Sequence, residues 1–401
     1  MYIPTMQRTK DNQKIYAYDV NSLYASVMIN NPYPVGNPTY FEGNILFTSL
    51  DPLAVENRPF GFFYCKITAP DNLKHPILQL HHNNRTIAPI GNWEGMYFSE
   101  ELYNAEKYGY KFEILWGYLF DKDYIFTKYI DDLYHIRLNY SKSDPMNYTA
   151  KLLLNSLYGR FGMNDLFPNL EIVDQKRFQL LTNNQGIEIE NITQLGSKYL
   201  ISYNNKNKLI DGDRELNNVN ISIAAAITAY ARIHMSQFKN NPNLPNLYYT
   251  DTDSLYFDGP LPDSMVDPKR LGALKLEGIY EKAIFLAPKV YGLKNTASQQ
   301  QEIIKIKGLN KEAIKKNKMT LEYLELLLEK DSKLEFEQDK WYKNLDVANI
   351  LIKNELYTLK ATNNKRELIY NNKDILNDTY PYIINNDKII NNEVCFQNQE
   401  H

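Results

Sequence analysis

Cysteine is nearly absent from this 401-residue chain; Cys65 and Cys395 are the only two. Far apart and without ligand spacing, they give no disulfide framework and no zinc site, so a reducing compartment is expected. Histidine is scarce too, at six residues. Adjacent His81 and His82 would face different ways on regular structure and make poor joint ligands. No apolar run reaches the roughly 18 residues of a membrane span, so no membrane partner is expected. Residues 1–10 carry neither a secretory apolar core nor an Arg/Ser-rich leader. Excess positive charge is also missing: 45 basic against 48 acidic residues leave a formal net charge of −3. Any surface for a polyanion must therefore be local.

What is present suits a globular chain with a sizeable core and roughly two or three domains, at 43% hydrophobic and 23% charged residues. The 32 tyrosines stand beside abundant Asn, Ile and Lys. Codon bias of an AT-rich genome explains that mix better than a stacking function.

The most informative stretch is Tyr248-Tyr249-Thr250-Asp251-Thr252-Asp253-Ser254-Leu255-Tyr256-Phe257. Two apolar, aromatic flanks read as strands, with a polar knot as the turn between them. In extended backbone Asp251 and Asp253 point to the same side. Carboxylates that close repel unless a divalent cation lies near, Mg²⁺ above all. The plain alternative is a turn that uses Asp and Thr as good turn formers. Upstream, residues 15–20 read as a buried strand ending near Asp19, and residues 22–28 as a helix. Asp19 there can hold a metal, or simply cap the helix.

Between residues 31 and 120, Pro and Gly recur among short apolar runs, which indicates a strand-and-loop subdomain with one helix at 99–107. A helical pair follows. The first helix is expected over 124–141. The second starts at Asp144-Pro145, with Asp as cap and Pro at the first position, and should end at Gly159 and Gly162. On it Lys151, Asn155 and Tyr158 fall at i, i+4 and i+7. That face can meet a nucleotide, or only water. Residues 164–218 read as a second, strand-rich insertion and 219–238 as a strong helix. Residues 274–277 and 289–294 read as strands, with Lys289 and Tyr291 on one side, able to grip a phosphate backbone or to protect a sheet edge. Helices are expected at 320–329 and 339–354.

Three of these stretches resemble, in order, motifs A, B and C of family B DNA polymerases: Asp19-Val20-Asn21-Ser22-Leu23-Tyr24, Lys151-Leu152-Leu153-Leu154-Asn155-Ser156-Leu157-Tyr158-Gly159, and Tyr249-Thr250-Asp251-Thr252-Asp253-Ser254. Lys289-Val290-Tyr291 is similar to the family's primer-terminus motif. The long gap between A and B, with His75-Pro76-Ile77-Leu78, residues 89–97 and Glu100-Glu101-Leu102, resembles the insertion of the protein-primed branch found in phages, adenoviruses and linear plasmids. The resemblance covers about residues 15–308. Ala25 departs from it, standing where the family usually has Pro.

The resemblance implies an α+β fold shaped as a right hand: antiparallel palm, helical-hairpin fingers, two insertions and a mostly helical thumb. The expected boundaries are palm 1–34, first insertion 35–122, fingers 123–163, second insertion 164–218, palm 219–307, and thumb with tail 308–401. With motif A so near the first residue, the family's exonuclease domain is expected to be lacking. The implied activity is template-directed DNA synthesis by phosphoryl transfer with two Mg²⁺ ions about 3.5–4 Å apart, Mn²⁺ as substitute. Asp19, Asp253 and the Val20 carbonyl would hold metal, with Asp251 in a lesser part. Lys151 would neutralise the triphosphate, joined by Arg137, or by Lys142 as the alternative. Ser22, Leu23, Tyr24, Asn155 and Tyr158 would bind the nucleotide, and Lys289 and Tyr291 the primer. The implied partners are a DNA primer-template, deoxynucleoside triphosphates and a terminal protein, in a mitochondrion. Two rivals remain on sequence grounds: an inactive DNA-binding remnant, and a reverse transcriptase, which usually places two adjacent Asp in the hairpin where Thr252 intervenes here.

Overall fold

Alternation in Ile15–Val20 places Ile15, Ala17 and Asp19 on one face of a strand and Tyr18 and Val20 on the other. This strand is central in a six-stranded sheet. Its order is Leu247–Asp251, Ser254–Phe257, Ile15–Val20, Leu274–Ala287, Val290–Asn295 and Glu302–Ile306. Every neighbouring pair is antiparallel. One face buries Ile15, Ala17, Tyr249, Tyr256, Tyr280, Ala283, Phe285 and Leu293 together. Tyr249 stacks on Phe285 with ring centroids 4.9 Å apart. By the same alternation Asp251 continues the row of Tyr249, so two carboxylates terminate apolar rows.

The structure is a computed structural model describing residues 13–47, 58–163, 168–205, 219–295, 302–344, 349–385 and 388–390. Two compact units divide the chain: residues 1–156, 225–334 and 358–401, and residues 157–224 with 335–357.

The first unit holds the sheet just described and a second one. Its order is Tyr33–Glu42, Lys111–Asp123, Gly61–Ala69, Ile90–Phe98, Ile383–Asn385 and Lys388–Ile390. The core of this second sheet includes Phe63, Cys65, Ile67, Trp93, Tyr97 and Ile384. Of the two cysteines, Cys65 is thus a core residue, its thiol pushed up to about 12 by burial; Cys395 lies outside the described residues. The stretches that suggest the insertion are largely core: Ile77, Leu78, Ile90, Trp93 and Tyr97 are all buried. Glu101 is buried and grips Arg232 of the helix Ile221–Lys239 through two contacts, at 2.5 and 2.9 Å.

The helical pair forms as expected. Thr127–Asn139 comes first, then Pro145–Phe161, whose start is capped by Asp144 Oδ1 accepting from Met146 N at 2.8 Å. The second helix runs through Gly159 rather than stopping there; a helical glycine costs only about 1 kcal/mol, and the turn closes at Gly162.

The second unit contains the three-stranded sheet Asn169–Val173, Lys198–Asn205 and Ile187–Leu195. It buries Val173, Leu181, Ile201 and Tyr203.

One expectation is overturned. The segment past residue 308 is not mostly helical: among the described residues it has two helices of six residues, Lys311–Lys316 and Leu321–Leu326, and otherwise strands. Of residues 339–354, expected as helix, the described ones fall in the paired strands Leu334–Asn344 and Asn349–Leu359. The period there is two: Phe336 and Gln338 are buried while their neighbours are exposed. Lys340 bridges to Glu355 at 3.4 Å and Asn354 donates to Asp339 at 3.1 Å. Cross-strand polar partners of this kind replace the i, i+4 pairs that a helix would use.

Gly91 is where the second sheet meets its late strand. Its φ is +95°, and an added Cβ would lie 2.1 Å from the Ile384 carbonyl oxygen. Gly91→Ala should therefore cost at least about 2 kcal/mol. Gly43→Ala, at φ +86° with nothing within 4 Å, should cost only about 1 kcal/mol. Denaturant unfolding of the two variants checks the difference.

Candidate active site

The hairpin turn holds Thr252 at φ +39°. Ser254 Oγ donates to the Asp251 carbonyl at 3.1 Å and fixes the turn from within. Ser254 is the register partner of both Asp251 and Asp19. Val20 N donates to the Asp253 carbonyl at 2.9 Å, which ties the first strand to the turn. Two segments more than 230 residues apart thereby bring Asp19 and Asp253 into one electrostatic site.

The three carboxylates differ in environment. Burial, first, and then Asp253 and Glu277 push Asp19 up to about 7, against a smaller pull from Lys275. Burial, first, and then the Asp251 charge raise Asp253, opposed by a hydrogen bond from its own backbone and, less, by Lys289. Asp251 is instead paired, its Oδ2 lying 3.4 Å from Lys289 Nζ. Among the described residues neither Asp19 nor Asp253 has an ion-pair partner, because Lys275 is spent on Glu277 at 2.6 Å. Two half-buried carboxylates, one raised by the charge of the other, form a donor set suited to a divalent cation. No group of three or more His, Cys, Asp or Glu forms a metal cluster among the described residues.

Motif A turns sharply after Val20. Asn21 exchanges backbone hydrogen bonds with Gly272 and Ala273, and its side chain donates to the Asp267 and Arg270 carbonyls at 2.6 and 3.1 Å. Ser22 adopts the left-handed region at φ +49° just before the helix Leu23–Asn30. Its hydroxyl accepts from Arg137 at 2.8 Å. Asn147 donates to the Arg137 and Tyr140 carbonyls, both at 2.9 Å, and clasps the two helices of the pair. Arg137 is thus held at the motif A turn, while Lys142 is exposed. Leu23 is buried, so only its backbone can face a nucleotide, and Tyr24 is half-buried.

Other expected residues are placed less closely. On the second helix of the pair, Asn147, Ala150 and Leu154 are buried; Lys151 and Asn155 are exposed beside that stripe, and Tyr158 is half-buried. The structure does not bring Lys151 into contact with the carboxylates. Lys289 lies outside the strand Val290–Asn295, in a turn at φ +58°, so strand alternation does not put it beside Tyr291. It reaches the hairpin by its ammonium on Asp251 and by its N–H, which donates to Tyr249 OH at 2.9 Å. Tyr291 packs within the aromatic cluster, its OH accepting from Tyr256 OH at 3.3 Å. Lys275 and Glu277, which shape the charge at Asp19, are visible in sequence only as alternating strand residues. Their register opposite the first strand is a long-range fact.

Comparisons with known proteins fit this geometry. The fold is similar to that of Phi29 DNA polymerase, solved as a ternary complex with primer-template DNA and incoming nucleotide substrates. The TM-score is 0.61 at 20% identity, over 90% of this chain and 60% of that one. A DNA polymerase fold is therefore the class to which the chain conforms. The family model "DNA polymerase type B, organellar and viral" matches residues 3–245, and the chain belongs to that family. A probable DNA polymerase of Ascobolus immersus is 37% identical over 397 residues, covering 97% of this chain and 31% of the relative. One of Neurospora intermedia is 38% identical over 346 residues, 85% of this chain and 34% of the relative. The chain spans about a third of the length of these curated relatives.

Without metal, native Asp19 keeps its proton between the ordinary carboxyl value of 3.8 and about 7. In that window the native state binds more protons than the unfolded one, so stability falls as pH rises from about 4 to about 7. Asp19→Asn should flatten that slope. Above pH 7 in chelator it should be more stable than wild type by roughly 1–3 kcal/mol after allowance for partial exposure. Denaturant unfolding at about pH 5 and about pH 8 checks this, and an unchanged slope contradicts it.

Proposed function

We propose that this chain carries the polymerase activity of a protein-primed DNA polymerase, adding deoxynucleotides to a primer 3′-hydroxyl on a DNA template. The observation that carries this reading is the pair Asp19 and Asp253, joined through Val20 N and the Asp253 carbonyl, half-buried and without an ion-pair partner among the described residues. Motifs in family order and the family membership support it.

Asp19, Asp253 and the Val20 carbonyl would hold two Mg²⁺ ions, or Mn²⁺ in their place. Bound there, the ions would supply a lowered pKa for the primer hydroxyl and charge stabilisation for the leaving pyrophosphate. The chain's own residues do the rest, and in phosphoryl transfer that is mainly positioning and charge stabilisation. Arg137, poised on Ser22, takes the triphosphate, helped by the backbone N–H groups after Val20. Lys151 adds charge and donates a proton to pyrophosphate. Asn155 and Tyr158 shape the nascent base pair. Tyr24 stacks under the sugar and excludes a 2′-hydroxyl. Lys289 and Tyr291 hold the primer terminus, with Asp251 fixing the lysine.

In this reading residues 1–34 and 219–307 are the palm, 123–163 the fingers, 35–122 the insertion that meets a terminal protein, 164–218 the second insertion, and 308–401 the thumb and tail. Fungal relatives and the organellar family description favour a mitochondrial linear element as the template.

Asp253→Asn should reduce Mg²⁺-dependent primer extension by at least about a thousandfold, on the scale of removing a key electrostatic group, while DNA binding in a filter assay stays within about twofold. Extension near the wild-type level would remove Asp253 as a metal ligand, and lost DNA binding would point to a fold defect. Tyr24→Val should raise the ratio of ribonucleotide to deoxynucleotide incorporation by about tenfold or more, the scale of one steric discrimination. An unchanged ratio would exclude Tyr24 as the sugar gate.

A further inference from the structure

A cavity of about 250 Å³ opens in the first unit, away from the carboxylates. Its wall includes His75, Gln79, Thr86, Lys239, Lys365 and Arg366, and no carboxylate among the described residues. Two separate parts of the chain supply the cations, Lys239 from one and the neighbours Lys365 and Arg366 from the other. Lys239 ends the helix Ile221–Lys239, and the next residue, Asn240, donates to the His75 carbonyl at 2.8 Å, which fixes that corner.

Among the described residues, Lys239 and Lys365 are poorly compensated. Burial, and then Arg232, push the Lys239 ammonium down to about 8; Glu101 pulls the other way but is already gripped by Arg232. Burial and Lys307 lower Lys365, whose ammonium donates to the Thr86 carbonyl at 2.5 Å. Arg366 is 5% exposed. It donates to Thr379 Oγ1 at 2.9 Å and to the Lys74 and Thr379 carbonyls at 3.1 and 3.2 Å, which fix its guanidinium in the wall. Cations gathered around one hollow are costly while it is empty of negative charge. Arg and Lys together are the usual donors to phosphoryl oxygens. The volume falls below the roughly 300–1,000 Å³ of sites for larger ligands, which favours a compact anion.

The geometry points to a phosphate-binding site at Lys239, Lys365 and Arg366, distinct from the polymerase site, that takes a phosphoryl group either from a free polyphosphate or from the backbone of a DNA strand. It stands independently of the polymerase reading, since none of its residues belongs to the proposed catalytic machinery.

The test is calorimetric titration of the full chain in chelator, once with sodium pyrophosphate and once with single-stranded DNA. Wild type is compared with Lys239→Met, Lys365→Gln and, as a control, Lys66→Ala, an exposed lysine of the strand Gly61–Ala69. Each of the first two should weaken binding about tenfold, the worth of one charge-assisted contact, and Lys66→Ala should leave binding within about twofold of wild type. A loss confined to pyrophosphate assigns the site to the free anion, and a loss confined to the oligonucleotide assigns it to a strand phosphate. Both titrations unchanged in both lysine variants overturn the proposal. Folding is controlled by melting without anion: Lys239→Met should melt at or above wild type, because it removes a buried positive charge. Lys365→Gln, nearer the surface, keeps the test open if Lys239→Met does not fold. Failure of pyrophosphate and DNA alike to raise the melting temperature of wild type also overturns it.

Discussion

Burial of two neighbouring carboxylates organises the site. Asp19 and Asp253 each end up where burial disfavours their charge; the Asp253 charge adds to the difficulty at Asp19, and the Asp251 charge to that at Asp253. The sheet enforces this. The alternation that buries Ile15 and Ala17 also leads to Asp19, and the bond from Val20 to the Asp253 carbonyl prevents the two strands from sliding apart. That arrangement, with no ion pair to either carboxylate among the described residues, is the basis for the proposed cation site. Asp251 marks the contrast: one residue pair away, it has its own lysine.

Around this pair, the rest of the first unit acts as support. Asn21 ties the motif A turn to the loop at 267–273. Ser22 holds Arg137, and Asn147 holds the helix that carries Arg137. Glu101 and Arg232 tie the helix Ser99–Glu106 to the long helix Ile221–Lys239. All of these contacts are polar and, apart from that of Asn21 with the Arg270 carbonyl, partly buried, so removing one partner loses free energy.

Local chemistry was legible in the sequence. The Asp251 hairpin, the strand ending at Asp19 and the Asp144-Pro145 helix start each rest on signals within a few residues, and all three stand. What was not legible depends on distant partners. The helix expected at 339–354 yields to strands because Lys340, Asp339, Asn354 and Glu355 find one another across a pair. The strand Ile383–Asn385 joins a sheet begun some 300 residues earlier, a pairing that no local pattern announces. Lys289 leaves the strand for a left-handed turn, yet meets Asp251 all the same. The charge relation of Lys275 and Glu277 to Asp19 is likewise a matter of register alone.

The central claim is that Asp19 and Asp253 share a site made for a divalent cation. Proton release on metal binding tests it most directly, measured by titrating Mg²⁺ into the full chain near pH 6 in buffers of different ionisation enthalpy. With Asp19 pushed up to about 7, metal binding should expel close to one proton per chain there, as ligand deprotonation requires. The release should fade by about pH 8 and vanish in Asp19→Asn. Metal binding without proton release at pH 6, or release that survives Asp19→Asn, would contradict the account.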